Sequence, residues 1–159
     1  MILLDTNILV YAIQSDTPHH DASRQLMERV ASGTLLACLF PQILLEFYAV
    51  ITDARRMEKP ATTDEGLELV KRFSTLCPVL QPSPAALNTL FSLAAESGVA
   101  GQRVFDVYIA AQMIDAGIQT ICTYNIKDFA GYPVTALTPE GILYKRTEPP
   151  VVHDKPRRY

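Results

Sequence analysis

The chain opens with an apolar run that passes directly into polar residues, Ile2-Leu3-Leu4-Asp5-Thr6-Asn7. Three consecutive apolar residues are typical of a short strand that is buried on both faces, as strands in parallel sheets are. The polar residues that follow are typical of the turn that leaves such a strand. The carboxyl ends of parallel strands face the functional crevice of an α/β protein, so Asp5 is well placed for chemistry. Asp is also a favoured helix N-cap, and capping a helix that opens at Asn7 explains Asp5 equally well.

Beyond this first strand, helix-like and strand-like patterns alternate. Apolar residues at helical spacing predict helices over 19–32, 41–53, 63–77, 84–97 and 104–116. Short apolar runs predict further strands over 35–40, 79–80, 120–123 and 134–137. Strands that alternate with helices predict an α/β sandwich with a mainly parallel central sheet between helices.

Length and composition predict one globular domain. The 159 residues are 48% hydrophobic and 19% charged, enough to build one core and too apolar for a disordered chain. We expect this domain to span residues 1–143. Residues 144–159 are rich in Pro and in basic side chains, and we expect them to form an extension or a flexible tail.

The cysteines and the N-terminus indicate a cytoplasmic, soluble protein. Three scattered cysteines are too few for a disulfide framework and lack the spacing of zinc ligands, so buried reduced thiols are expected. The apolar start has no basic flank and is interrupted by Asp5, which is unlike a signal peptide. No uncharged run reaches the roughly 18 residues that a membrane span needs, so we expect no membrane partner.

Several acidic residues stand in apolar surroundings, where a carboxylate is costly. Glu46 lies within a helical apolar pattern and has no basic residue three or four positions away. It therefore needs a cation, a hydrogen-bonded partner or a raised pKa, unless it lies in solvent at the edge of the apolar face. Asp106 precedes apolar residues on the same predicted helix, although an Asp in a first helical turn is also favoured by the helix dipole.

A second polar group, Asn125 and Asp128, follows the predicted strand over 120–123. Taken singly, each is explained as a turn or cap residue. Together with Asp5 at another strand end and Glu46 and Asp106 near helix starts, they are expected to gather at one edge of a parallel sheet. Carboxylates about 4 Å apart repel by roughly 4 kcal/mol at an effective dielectric near 20, so such a cluster favours a divalent cation. Oxygen ligands without His or Cys favour Mg²⁺ or Mn²⁺ over zinc.

Four motifs resemble those of PIN-domain ribonucleases in order and approximate spacing. They are Ile2-Leu3-Leu4-Asp5-Thr6-Asn7-Ile8-Leu9, Leu45-Glu46-Phe47, Asp106-Val107-Tyr108-Ile109-Ala110-Ala111 and Thr123-Tyr124-Asn125-Ile126-Lys127-Asp128-Phe129. The resemblance covers about residues 1–143, and the size is similar to that of VapC-type toxins of toxin–antitoxin pairs. It implies a PIN-like three-layer sandwich with an acidic pocket that binds Mg²⁺ or Mn²⁺.

By this resemblance, Asp5, Glu46 and Asp106 are expected to be catalytic metal ligands, assisted by Thr6 or Asn7. Asn125 stands where the family often has Asp, and Asp128 follows three residues later. Both are included among the expected catalytic residues, and the occupancy of a second metal position depends on them.

The function expected from this resemblance is metal-dependent endonucleolytic cleavage of RNA by a toxin. Substrate contacts are expected from Thr6, Asn7, Arg103 and Lys127, although solvated surface charge explains the two basic residues as well. A cognate antitoxin and a homodimer are the expected protein partners, with the helices over 63–77 and 84–97 as candidate surfaces unless core packing uses their apolar residues. The alternative is a PIN-like binding module that has lost full metal chemistry, which Asn125 favours and the three carboxylates oppose. A haloacid-dehalogenase-type phosphatase is discounted, because it needs a second Asp where this chain has Asn7.

The net charge of −3 argues, by itself, against a sequence-independent polyanion binder, whose surface is usually basic. Setting aside Asp5, Glu46 and Asp106 as metal ligands leaves fourteen acidic and fourteen basic side chains. The net charge is then compatible with an RNA substrate and predicts that RNA binding depends on metal.

Overall fold

The computed structural model describes residues 1–144, so the tail expected at 144–159 lies outside the described residues except for Tyr144. A single parallel sheet runs through the molecule in the order β2-β1-β3-β4. Its strands are β1 (Ile2–Leu4), β2 (Ala37–Cys38), β3 (Thr120–Cys122) and β4 (Thr135–Leu137). The predicted parallel α/β architecture is confirmed, with β1 between two parallel neighbours.

Seven α-helices flank the sheet in the part of the chain that the structure describes. They are α1 (Thr6–Ile13), α2 (His20–Ala31), α3 (Pro41–Ile51), α4 (Thr63–Leu76), α5 (Ala85–Ser97), α6 (Val104–Asp115) and α7 (Pro139–Leu143). Two short 3₁₀ turns, Gly101–Arg103 and Ile126–Phe129, precede α6 and follow β3. Helix α1 packs against α2 and α3, α3 packs against α4, and α5 packs against α6.

The start of α1 corrects the prediction of a turn after the first strand. The helix begins at Thr6, immediately after β1, and Asp5 is its N-cap, accepting a hydrogen bond from the Thr6 amide. A carboxylate that satisfies one of the unpaired amides of the first turn allows the strand to pass into a helix without a connecting loop. The capping role considered for Asp5 is therefore real, and Ile8, Leu9 and Val10 carry α1 into the core.

Two other predicted elements differ from those observed. The apolar run over 35–40 contributes only a two-residue strand, because Pro41 begins α3 directly after it. The predicted strand at 79–80 is a single parallel bridge between Leu39 and Val79. Helix α7 was not predicted, although Thr138 caps it and Pro139 occupies its first turn, a combination typical of helix starts.

The core lies where the sheet meets the helices. Leu3, Leu4 and Ile121 of the two central strands are fully buried. Phe47 of α3 is also fully buried and meets Phe73 of α4 edge-on, with ring centroids 5.1 Å apart. All three cysteines are buried and free, as predicted. Within residues 1–144, no helix combines the length and apolar character needed to cross a bilayer.

Helices α3 and α4 approach closely at Gly66, and this contact generates a prediction for stability. A Cβ at Gly66 would lie 2.9 Å from Cε2 of Tyr48 and 3.0 Å from Cγ2 of Thr52. A Cβ at Gly141 in α7 would meet only ordinary contacts, the nearest at 3.5 Å from the Thr138 hydroxyl. Ala is favoured over Gly inside a helix by about 1 kcal/mol. Steric conflict opposes that gain at Gly66 alone.

We expect Gly66→Ala to lower the free energy of unfolding by about 1–2 kcal/mol and Gly141→Ala to raise it by about 0.5 kcal/mol. Urea denaturation of the two variants beside the parent chain measures both values. A Gly66→Ala protein more stable than the parent would show that the α3–α4 contact is looser than described.

Candidate active site

Asp5 lies buried at the carboxyl end of the central strand, with 7% of its surface exposed. Its Oδ1 accepts from the Thr6 amide at 2.7 Å. Its Oδ2 accepts from the Thr123 hydroxyl at 2.6 Å and from the Asn7 side-chain amide at 2.7 Å. Three donors on one carboxylate fix its orientation, so Asp5 has both the predicted position and a defined geometry.

Burial raises the pKa of Asp5 above its ordinary value, and the negative charge of Glu46 raises it further. Hydrogen bonds from Thr123, Thr6 and Asn7 oppose this shift because they stabilise the ionised form, but they do not cancel it. The buried carboxylate therefore lies among neutral donors and close to a second negative charge.

Thr123 links Asp5 to the chain that follows β3, a role that sequence reasoning missed. The side chain is fully buried, and its hydroxyl also accepts from Asn7 Nδ2 at 3.1 Å and from the Asn125 amide at 2.9 Å. Asn7 completes the link by accepting from the Tyr124 amide at 3.2 Å. A hydroxyl residue at the end of the strand beside β1 is the signal that could have found it.

Glu46 is half-buried in α3, and both of its oxygens are hydrogen-bonded. The Thr6 hydroxyl donates to Oε2 at 3.1 Å, and the Gln42 side chain donates to Oε1 at 2.8 Å. Glu46 therefore faces Thr6 and Gln42 and is only partly in contact with solvent. The side chains of Thr6 and Asn7 form hydrogen bonds within the protein, where they donate to the carboxylates of Glu46 and Asp5. Substrate contact by either residue stays a prediction.

Asp106 lies in the first turn of α6, and the pKa of its carboxyl is raised to about 6. Partial burial is the largest cause, followed by the negative charges of Asp128, Asp5 and Glu46 in decreasing order. The guanidinium of Arg103 lowers the pKa, but by less than these causes raise it. The structure thus brings Asp5, Glu46 and Asp128 within electrostatic reach of Asp106.

Asn125 and the two expected basic residues lie on the exposed side of this cluster. Within residues 1–144, the Asn125 side chain accepts and donates no hydrogen bond, and only its backbone amide is tied to Thr123. Arg103 and Lys127 are exposed, and the ion pairs found in the described residues involve neither of them. Their side chains are available to a ligand, and their binding role stays a prediction.

Gln42 and Gln112 form a second group that sequence reasoning missed. Gln112 is almost fully buried in α6 and donates to Gln42 Oε1 at 3.2 Å. Gln42 also donates to the carbonyl oxygen of Phe105 at 3.3 Å. Gln42 precedes Glu46 by one helical turn and offers a neutral donor, which a pattern of opposite charges does not reveal. A glutamine within the apolar face of α6 was a further signal.

The candidate ligands are of the kind that a hard divalent cation binds, although their side chains do not form a closed metal site. Every candidate ligand offers oxygen, and partial burial together with the neighbouring carboxylates raises the pKa of Asp106, an effect that a bound cation would oppose. Within residues 1–144, no three His, Cys, Asp or Glu side chains stand close enough to hold a metal ion between them.

Comparisons with known proteins agree with this fold. The sequence model of the PIN domain matches residues 2–133. Ribonuclease VapC24 of Mycobacterium tuberculosis is 28% identical over 134 residues, which cover 83% of this chain and 91% of that protein. Ribonuclease VapC48 of the same species is 27% identical over 127 residues, covering 79% and 87% of the two chains.

Solved structures share the fold at low sequence identity. The structure of VapBC2 from Rickettsia felis bound to a promoter DNA fragment superposes with a TM-score of 0.64 at 22% identity, covering 87% of this chain and 98% of that one. The Mycobacterium tuberculosis toxin VapC20, described as cleaving the sarcin–ricin loop, gives 0.62 at 15% identity, covering 83% and 96%. The family match spans most of the chain and includes all of the expected acidic residues, so this chain belongs to the PIN domain family.

Proposed function

We propose that this protein is a ribonuclease that hydrolyses RNA phosphodiester bonds and acts as the toxin of a toxin–antitoxin pair. The observation that carries the proposal is the arrangement at the carboxyl end of β1, where Thr6, next to Asp5, donates to Glu46 at 3.1 Å and where Asp5, Glu46 and Asp128 all act electrostatically on Asp106. The relatives that cover most of the chain are named ribonucleases, which supports RNA as the substrate. The alternative of a PIN-like module that has lost full metal chemistry, which Asn125 favours, is opposed by the intact carboxylates of Asp5, Glu46 and Asp106.

We propose Mg²⁺ or Mn²⁺ as the cofactor, held by Asp5, Glu46 and Asp106, with Asp128 and Asn125 next to them. A cation of this kind supplies Lewis-acid polarisation of the scissile phosphate and lowers the pKa of water. The chain's own contribution is to present anionic oxygens from rigid positions. Asp5 is held by three donors and Glu46 by two, so the chain's own hydrogen bonds fix the orientation of both carboxylates.

The basic residues beside the cluster have a separate task. Arg103 lies one turn of backbone before Asp106, and Lys127 lies beside Asp128 in the 3₁₀ turn after β3. Exposed cations at these two places suit the phosphates that flank the scissile bond. Asn125, with an exposed amide, adds a neutral donor and acceptor at the same edge.

The partner proposed for this chain is an antitoxin. Chains of similar fold come from complexes described as toxin–antitoxin assemblies, among them one from Klebsiella pneumoniae at 19% identity. A homodimer stays a prediction. Leu87 and Phe91 lie one turn apart on α5 and expose 47% and 64% of their surfaces, an apolar area that either kind of partner would cover.

The first test of the proposed function is Asp106→Asn. We expect RNA cleavage to fall by at least about 100-fold, because the ligand charge is lost while the shape is kept. Cleavage of total RNA in Mg²⁺, with mapping of the cut ends, measures the effect, and Asp5→Asn should behave alike. Asp64→Asn is the matched control, since Asp64 lies in the exposed first turn of α4 and should leave cleavage unchanged. Full activity of Asp106→Asn would contradict the assignment.

Removing divalent cations tests the cofactor. We expect a chelator to stop RNA cleavage by the parent protein and excess Mg²⁺ or Mn²⁺ to restore it, because the site contains oxygen ligands that bind such ions. Calorimetric titration of the metal-free protein with Mn²⁺ should show binding that Asp106→Asn weakens. Cleavage that continues undiminished in chelator would rule out the proposed cofactor.

The raised pKa of Asp106 predicts how the stability of the metal-free protein depends on pH. Between about pH 4 and 6 the folded state retains a proton that the unfolded state releases, so the free energy of unfolding falls as pH rises through this range. Asp106→Asn removes the buried charge and should therefore be the more stable protein at pH 7.5, by about 1 kcal/mol after allowance for solvent screening.

Denaturation in chelator at pH 4 and at pH 7.5 measures this difference, which should vanish at pH 4, where the parent carboxyl is protonated. Asp64→Asn should show no such gain at pH 7.5, because it removes a charge that the dipole of α4 favours. Equal stability of Asp106→Asn and the parent at pH 7.5 would show that Asp106 is not under electrostatic strain.

A further inference from the structure

A buried amide in α6 is connected to the acidic cluster through a second amide. Gln112 exposes 1% of its surface and lies between buried Ala111 and Met113. A buried amide is costly unless it is hydrogen-bonded, and the Gln112 side chain donates to Gln42 Oε1 at 3.2 Å. Gln112 thus fixes which end of the Gln42 amide faces α6.

The Gln42 amide uses its oxygen and its nitrogen at once. Its Nε2 donates to Glu46 Oε1 at 2.8 Å and to the Phe105 carbonyl at 3.3 Å, while its oxygen accepts from Gln112. The opposite orientation would direct the amide oxygen at a carboxylate and a carbonyl and would set two NH₂ groups against each other. One orientation of this amide is therefore strongly favoured.

Two separate elements that bear site residues meet at Gln42. One bond holds the carboxylate of Glu46 in α3, and the other holds the backbone of Phe105, the residue before Asp106. The Thr6 hydroxyl holds the other oxygen of Glu46 at 3.1 Å. Without Gln42, Glu46 would keep one donor, and Gln112 would lose its partner.

We propose that Gln42 is a positioning residue for the reaction: oriented by Gln112, it fixes the Glu46 carboxylate relative to the first turn of α6. This inference rests on the proposed ribonuclease function. Partners behind a ligand that hold its orientation commonly change metal affinity or activity by about 10- to 100-fold when they are removed.

The test replaces Gln42 by Met, which keeps the length of the side chain and removes its donors. We expect kcat for RNA cleavage in Mg²⁺ to fall by about 10-fold or more with little change in KM. The affinity for Mn²⁺, measured by calorimetry without RNA, should fall by a similar factor. Gln112→Met, which does not touch Glu46, should cause a smaller loss of the same kind. Gln102→Met is the control, since Gln102 is exposed in the 3₁₀ turn before α6.

A merely structural hydrogen bond would give a different pattern. Gln42→Met would then lower the melting temperature but would match the Gln102→Met control in kcat and in Mn²⁺ affinity, and this outcome overturns the proposal. If Gln42→Met does not fold, Gln112→Met decides by the same two measurements. An inactive parent protein refutes the proposed function, and the Mn²⁺ affinities of the parent and of Gln42→Met still test the positioning role of Gln42. A parent that neither cleaves RNA nor binds Mn²⁺ overturns both.

Discussion

The burial of Asp5 beside Thr123 is the constraint on which the rest of the site depends. A carboxylate with 7% exposure requires donors, and it finds them in the first turn of α1 and in the hydroxyl at the end of β3. The pairing of β1 with β3 places that hydroxyl there, with the Asp5 amide bonded to the Cys122 carbonyl at 3.0 Å. One residue therefore ends the strand, caps the helix and faces the acidic cluster, which explains why the fold leaves no loop between β1 and α1.

The fold could be predicted from the sequence wherever one pattern dominated. Helices α2 to α6 follow from apolar spacing and from punctuation such as Pro41 and Gly98, and the alternation with strands predicted a parallel sheet. The failures share a cause, because short elements contain too few residues to show a period. Helix α1 was expected only as an alternative explanation of Asp5, because its apolar residues follow the strand after just three polar residues. The bridge at Val79 depends on pairing with the distant Leu39. Tertiary contacts decide such segments, and no local pattern contains them.

The candidate site was predictable to the extent that ionised groups are conspicuous in apolar sequence. Asp5, Glu46, Asp106 and Asp128 stand out as charges that a core would exclude, and the structure brings them together. The neutral residues that orient them were missed, because Thr123, Gln42 and Gln112 resemble ordinary polar residues until their partners are known. Hydrogen bonds between residues 118 or 70 positions apart have no signature in either local sequence. Charged residues in apolar sequence indicate where the candidate site lies, whereas uncharged residues set the geometry of that site.

The strand order has a consequence for folding during synthesis on the ribosome. The two central strands, β1 and β3, are neighbours in the sheet but come from opposite ends of the domain's sequence. Because Leu3 pairs with Ile121, their pairing closes a loop of more than a hundred residues. Asp5 is synthesised among the first residues, but Thr123 follows only after about 6–24 s at typical rates of translation. During that interval Asp5 has its donors Thr6 and Asn7 but lacks the hydroxyl of Thr123, and β1 lacks its partner β3. The pairing of β1 with β3 and the bond from Thr123 to Asp5 are therefore among the last contacts of the domain that translation makes available.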